Sequence, residues 1–214
     1  MNSKEAKPEW DCKYEYAWDI MTEVPNTDLL KIVGKEDKMK IVILNGSARR
    51  GNTYACINAF AEGAKAGNEI EIIETDKVNV SPCKGCGACG CTNGCVAKDD
   101  SNAVVDKIVA ADLIVFASPI YWWGLTAQIK TVIDKCYCKG AYLKNKKVGL
   151  VLCAGAPTDD IEYELIKKQF EEMCEFLAWD MDFYKAFYAS EKDEIANNSE
   201  ALAEMKAVGE KYAV

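Results

Sequence analysis

An α/β fold with a doubly wound, five-stranded parallel sheet is predicted by three observations in the sequence. From Lys40 onward, strand-like apolar runs alternate with stretches of helical periodicity. The first run, Ile41-Val42-Ile43-Leu44, has no polar alternation, as a parallel strand covered on both faces requires. A turn bounded by Gly46 and Gly51 then opens a helical pattern through Ala55, Ile57, Ala59, Phe60, Ala61 and Ala64.

Residues 1–38 precede this unit as an N-terminal extension, expected to be a partly helical arm. Trp10, Tyr14, Ala17, Trp18 and Met21 fall at helical spacing before Pro25-Asn26-Thr27-Asp28 interrupts them. Such a stripe suits a helix packed on its own domain, and equally an arm over a neighbouring subunit or a cofactor mouth. Residues 39–214 are expected to form one domain, with strands at 40–45, 69–74, 112–117, 147–153 and 181–188. Helices are expected at 52–66, 101–110, 125–138, 159–177 and 198–212. Asp159-Asp160 would cap the fourth helix, and Leu202, Met205, Val208 and Tyr212 would turn the last one inward. This succession suits a flavodoxin-like sheet, in which ligands sit beyond the carboxyl ends of the strands. The chemistry is therefore expected in loops 46–53, 75–100, 118–124 and 154–159.

Composition narrows the function classes. With 214 residues, half of them apolar, the chain can bury a sizeable core. A net charge of −8 without a basic run gives no electrostatic drive toward nucleic acid or anionic lipid. No apolar window is long enough to span a membrane and the first residues lack a leader's apolar core, so a cytoplasmic location is expected. The sequence contains no histidine, which removes Ser-His and Cys-His nucleophiles and histidine metal sites. Eleven cysteines, an odd number, argue for thiols or metal rather than a disulfide framework. Redox chemistry on a cofactor or on cysteine fits these limits.

The turn Gly46-Ser47-Ala48-Arg49-Arg50-Gly51-Asn52-Thr53 supplies hydroxyls, an amide and two guanidinium groups at the start of a helix, the makings of an anion site. Its Gly-x4-Gly spacing imitates a triphosphate loop, but Asn52 stands where the lysine would be. The Gly-x-Gly-x-x-Gly of dinucleotide folds is missing as well. A single terminal phosphate fits better. Farther on, Ser118-Pro119-Ile120-Tyr121-Trp122-Trp123-Gly124 follows an apolar strand. Three successive aromatics cannot all enter one core, so at least one should face solvent or a flat ring.

From Met39 to Val214 the chain resembles the flavodoxin-fold NAD(P)H-dependent FMN reductases, and within them the iron–sulfur flavoproteins. The resemblance rests on Asn45-Gly-Ser-Ala-Arg-Arg-Gly-Asn-Thr53, Pro82-Cys83-Lys-Gly-Cys86-Gly-Ala-Cys89, Asp99-Asp100 and Ala117-Ser-Pro-Ile-Tyr-Trp-Trp-Gly124, with Gln128, Lys130 and Asp134 following. It implies that Ser47, Arg49, Asn52 and Thr53 hold the FMN phosphate. It also implies that Pro119, Ile120, Tyr121, Trp122 and Gly124 line the isoalloxazine, and that the loop with Ala154 and Gly155 touches its other edge. By resemblance alone, a homodimer or homotetramer is expected.

Within a Cys-rich loop at 82–96, Cys83, Cys86, Cys89 and Cys95 bring four thiols together, with Cys91 as an extra. Two-residue spacings let successive thiolates wrap one compact cluster. The fit to a bacterial ferredoxin run is incomplete, because Cys95 comes too late and no proline follows it. The compact motif of the iron–sulfur flavoproteins agrees better. Three alternatives stand: a [4Fe–4S] cluster on these four residues, reduced cysteines beside the flavin, and zinc. Cys56, Cys136, Cys153 and Cys174 suit small buried hydrophobes, and Cys138 takes no role. Two functions follow. The first is an FMN oxidoreductase or electron-transfer protein that takes electrons from a reduced donor such as NAD(P)H or ferredoxin and passes them to a small-molecule or protein acceptor. The second is a redox- or metal-sensing module on the same scaffold.

Overall fold

The computed structural model describes residues 38–214, so the arm expected at 1–38 lies, apart from Lys38, outside the described residues. Five parallel strands form the sheet: β1 (Lys40–Asn45), β2 (Glu69–Glu74), β3 (Leu113–Tyr121), β5 (Lys147–Ala154) and β6 (Asp180–Tyr188). Their order is β2-β1-β3-β5-β6, and a two-residue strand β4 (Gly124–Leu125) folds back antiparallel on β3. This is the order of flavodoxin-like sheets, with the crossover reversing between β1 and β3.

Helices cover both faces because the strands are apolar on both. Ile41, Ile43, Leu113, Val115 and Val151 face one side, against α1 (Asn52–Ala64) and α5 (Ser199–Glu210) through Ile57, Phe60, Met205 and Val208. Val42, Leu44, Ile114, Phe116, Leu150 and Leu152 face the other. There they meet α2 (Ser101–Ala110), α3 (Ala127–Lys135) and α4 (Ile161–Leu177) through Val104, Ile108, Ile129, Val132, Ile166 and Phe170. Alternate residues of each strand thus serve opposite layers, as the pleat dictates.

Two elements differ from expectation. β3 continues past residue 117 to Tyr121, because Ile120 and Tyr121 pair with Leu125 and Gly124 and so extend the strand. The helix expected over 125–138 begins at Ala127 and gives way to a 3-10 segment over Cys136–Tyr142, in which Lys139 leaves helical geometry (φ −135°, ψ 29°) just before Gly140. The cap expected at Asp159-Asp160 falls on Asp160, whose side chain accepts from the Glu162 amide at 3.1 Å. Among the described residues, no helix is long and apolar enough to cross a membrane.

Candidate functional site

Beyond the carboxyl ends of β1, β3 and β5 lies a shallow cleft of ≈ 170 Å³ that is open to solvent. Ser47, Arg49, Asn52 and Thr53 line one part of it, Pro119, Ile120 and Tyr121 a second, and Ala154 and Gly155 a third. The structure therefore gathers three separately predicted segments at one place. Trp122 and Gly124 do not line it. They belong to the tight turn beyond Tyr121, where Trp122 is 90 % exposed and stacks obliquely on Trp123, with ring centroids 5.8 Å apart. Both tryptophans have left-handed backbone, φ 48° and 58°, a conformation that costs a bulky residue of order 1–3 kcal/mol.

The turn after β1 is held from beneath by hydrogen bonds of its own and neighbouring residues. Asn45 Oδ1 accepts the Ser47 amide at 3.0 Å, and the Ser47 hydroxyl donates to the Arg49 carbonyl at 2.9 Å. Thr126 Oγ1 donates to the Gly46 carbonyl at 2.7 Å, while the Gly46 amide donates to the Ala117 carbonyl, also at 2.7 Å. No side chain caps the start of α1, so its first amides are open toward the cleft, as anion sites at helix starts require. Arg49 is exposed and lines the cleft. Arg50 turns away, toward the Glu74 carboxylate at 3.5 Å and the Tyr54 ring.

Asn52 has a structural task that its sequence position did not reveal. Its Nδ2 donates to the Glu191 carbonyl at 2.8 Å and its Oδ1 accepts the Ile195 amide at 2.9 Å, so the side chain ties α1 to the segment after β6. That segment brings Ala189, Ser190 and Lys192 to the cleft, and Gly51 and Cys153 complete the lining. Sequence reasoning placed no chemistry after the last strand and assigned Cys153 to the core. Cys153 is indeed buried, but it is the penultimate residue of β5, where the strand meets the cleft. The loop at 154–156 is fixed from behind by Tyr163, whose hydroxyl lies within 3.3 Å of the carbonyls of Ala154, Ala156 and Phe187, with the Phe187 carbonyl the nearest acceptor at 3.0 Å. Burial pushes that phenol up, which keeps it a donor.

The four cysteines proposed as metal ligands do not converge as a set, though Cys89 and Cys95 share one cluster. Cys83 and Cys86 are exposed, Cys89 is buried and Cys95 half-buried. Among the described residues no group of three or more cysteine or carboxylate side chains converges on a point that could hold a metal ion. Cys89 packs instead beside Val105 and Cys138, with Cys95 and the half-buried Cys136 next to them, so Cys138 joins the thiol-rich region that the sequence reading left without it. Burial pushes the Cys136 thiol up to about 12 and raises Cys138 as well.

The inner end of this loop is clasped. The Cys95 amide donates to Asn102 Oδ1 at 2.7 Å, and Asn102 Nδ2 returns a bond to the Cys95 carbonyl at 2.8 Å. Lys135, 4 % exposed, sets its ammonium 3.3 Å from Cys95 Sγ, 3.4 Å from Ser81 Oγ and 3.9 Å from Asp99 Oδ2. Burial alone would raise the Asp99 carboxyl. Hydrogen bonds from Ser101 and Ser81, including the amides at 3.0 Å, outweigh it and hold the group well below the usual carboxylate range.

Residues 39–174 match the family model described as NADPH-dependent FMN reductase. An iron-sulfur flavoprotein of Methanosarcina thermophila is 39 % identical over 122 residues, which cover 55 % of this chain and 63 % of the relative. The chain thus spans less than two thirds of that relative's length. A solved NAD(P)H:quinone oxidoreductase from Methanothermobacter marburgensis superposes with a TM-score of 0.60 at 16 % identity, over 81 % of this chain and 96 % of the other. A flavodoxin from the domain Archaea does so with a TM-score of 0.51 at 16 % identity, over 82 % and 96 %. At such identities these two likenesses establish the flavodoxin-like fold and nothing finer. The sequence match is what carries the rest: with every predicted residue of the cleft inside it, this chain belongs to the NADPH-dependent FMN reductase family.

Proposed function

We propose that this chain is an FMN-dependent oxidoreductase that takes electrons from a reduced donor, NAD(P)H in the first instance, and delivers them to a small-molecule or protein acceptor. One observation carries the reading: the anion turn, the Pro119–Tyr121 segment and the Ala154–Gly155 loop converge on one cleft. The residues fit a flavin mononucleotide. Arg49 and the open amides of α1 would meet the phosphate, and the Pro119, Ile120 and Tyr121 side would meet the ring. Bound there, FMN supplies the acceptance of a hydride and its release as one or two electrons. The chain's own part is to bind and to orient. Tyr163 fixes the Ala154–Ala156 backbone from behind, and the bonded Gly46–Arg49 turn needs no reordering to receive an anion. The exposed faces of Trp122 and Trp123, beside Tyr121, offer the redox partner a flat apolar surface.

For a [4Fe–4S] cluster on Cys83, Cys86, Cys89 and Cys95 the support is the thiol spacing and the name of the similar archaeal protein. The placement of the thiols does not support it, and the flavin reading does not depend on it. Titration of the purified protein with FMN, followed by quenching of flavin fluorescence, tests the cofactor. Saturable binding with bleaching by NADPH is expected, and the absence of binding would sink the reading in favour of a sensing module. Iron and sulfide assays on anaerobically prepared protein decide the cluster separately.

A further inference from the structure

Cys56 and Cys153 come from different layers of the fold, yet their sulfurs lie 3.9 Å apart. Cys56 sits in the first turns of α1, directly after the phosphate turn, and is fully buried. Cys153 is the penultimate residue of β5, 3 % exposed, and lines the cleft. One thiol of the pair thus borders the flavin site while the other stands behind it. Ile57, Ala117, Val151 and Phe187 belong to the same apolar cluster, and the Thr53 hydroxyl is the polar neighbour of Cys153. Contact with Cys153, then burial, raises the Cys56 thiol.

We propose that Cys56 and Cys153 form a redox-active dithiol in the wall of the cleft, exchanging an electron pair with the flavin there; this rests on the FMN reading of the same cleft. In the forward direction both thiols lose their hydrogen and a Cys56–Cys153 bond forms. The two electrons and two protons pass to the oxidised isoalloxazine, which becomes the reduced ring, one disulfide per flavin. In reverse, reduced flavin cleaves the disulfide and returns both thiols. Closure brings the sulfurs from 3.9 Å to about 2 Å and draws α1 against β5. Those are the elements that carry the phosphate side and the ring side of the cleft. Reduced protein would then hold two electron pairs, one on flavin and one on sulfur.

The test uses the full chain, reduced with thiol, freed of reductant and loaded with oxidised FMN under anaerobic conditions. Flavin absorbance is followed in the dark, and the protein is then denatured in alkylating reagent and mapped by mass spectrometry. The expected result is a linked peptide containing Cys56 and Cys153, with two alkylatable thiols lost per flavin bleached, and none in protein kept without flavin. Cys56→Ser should retain FMN, leave it oxidised and yield no linked peptide, with Cys56→Ala as the second variant if serine unfolds the helix. Retained, fully oxidised FMN with both wild-type cysteines alkylated would overturn the dithiol and leave the cofactor reading intact. Failure to retain FMN at all would overturn both.

Discussion

Two loops leave the carboxyl edge of the sheet from the paired strands β1 and β2, and they are built in opposite ways. The turn after β1 has its backbone held by Asn45, Ala117 and Thr126, and a side chain added at Gly46 would meet Thr126, Ser118 and Ile129 at 2.9–3.1 Å. The loop after β2 is clasped at its ends and packed through Cys89 and Cys91, but its tip is open. Asp99 and Asp100 accept the Ser81 and Asn79 amides, and Asn102 grips Cys95, while between them Cys83 and Cys86 lie exposed. Gly85 and Gly87 there have φ of 62° and 68° with nothing within 4 Å of an added side chain. A site for a flat, anionic ligand can be assembled from the chain's own hydrogen bonds. A set of thiols gains nothing from lying close together until something binds them, so the same sheet edge carries one formed cleft and one open loop.

The contrast is sharpest where the open loop is anchored. Asp99→Ala would leave the Lys135 ammonium, 4 % exposed, without its carboxylate, which costs about 3–5 kcal/mol. A denaturant midpoint lowered accordingly checks it, and a shift of only a few tenths would mean that Ser81 and Cys95 suffice for Lys135. Acid should act in the same direction. Because the folded Asp99 carboxyl lies well below its unfolded value of about 3.9, its contribution is present above that pH and fades as pH falls beneath it.

In the formed cleft the next effect is on binding. Arg49→Ala removes an exposed guanidinium from the cleft, and on the FMN proposal the loss of one charge-assisted bond predicts binding weaker by about ten- to a hundredfold. Riboflavin, lacking the phosphate, should bind the variant and the parent alike. Cys83→Ser and Cys86→Ser should leave FMN affinity unchanged. If they weaken it as much as Arg49→Ala does, the two loops form one site. Smaller again, Gly46→Val forces branched carbon against the atoms that hold the turn, an overpacking cost of about 1–3 kcal/mol. Thermal unfolding and FMN titration should move together in that variant.

The sheet was legible because burial on both faces leaves no polar alternation in Ile41–Leu44, and helices of 3.6-residue period separate the runs. The cleft was legible as far as its residues are local in sequence: Ser47 to Thr53, Pro119 to Tyr121, and Ala154 with Gly155. What escaped is tertiary. Lys192 and Ser190 reach the cleft because Asn52 binds the Glu191 carbonyl and the Ile195 amide, a contact across 139 and 143 residues with no local signature. Trp122 was expected at the ring, but a hairpin turn between β3 and β4 aims it outward. Cys56 and Cys153 each looked like a small core hydrophobe, and only their meeting gives them chemistry.

The smallest expected effect tests the open loop from inside. At Gly87, with φ of 68°, an added methyl group meets nothing within 4 Å, so Gly87→Ala pays only the left-handed backbone penalty of about 1–2 kcal/mol. Gly87→Asn should cost less, because asparagine tolerates that conformation. Because the loop is exposed here, much of even this penalty should be relieved by local adjustment, leaving the global unfolding midpoint nearly where it was. The rate at which Cys86 and Cys89 are alkylated in the native protein should change instead. A loss of several kcal/mol on Gly87→Ala, with asparagine no better, would show that a packed partner crowds this position. The tip of the loop would then be as firmly built as the turn after β1, and Cys83 and Cys86 would be held by contacts as Cys89 and Cys91 are.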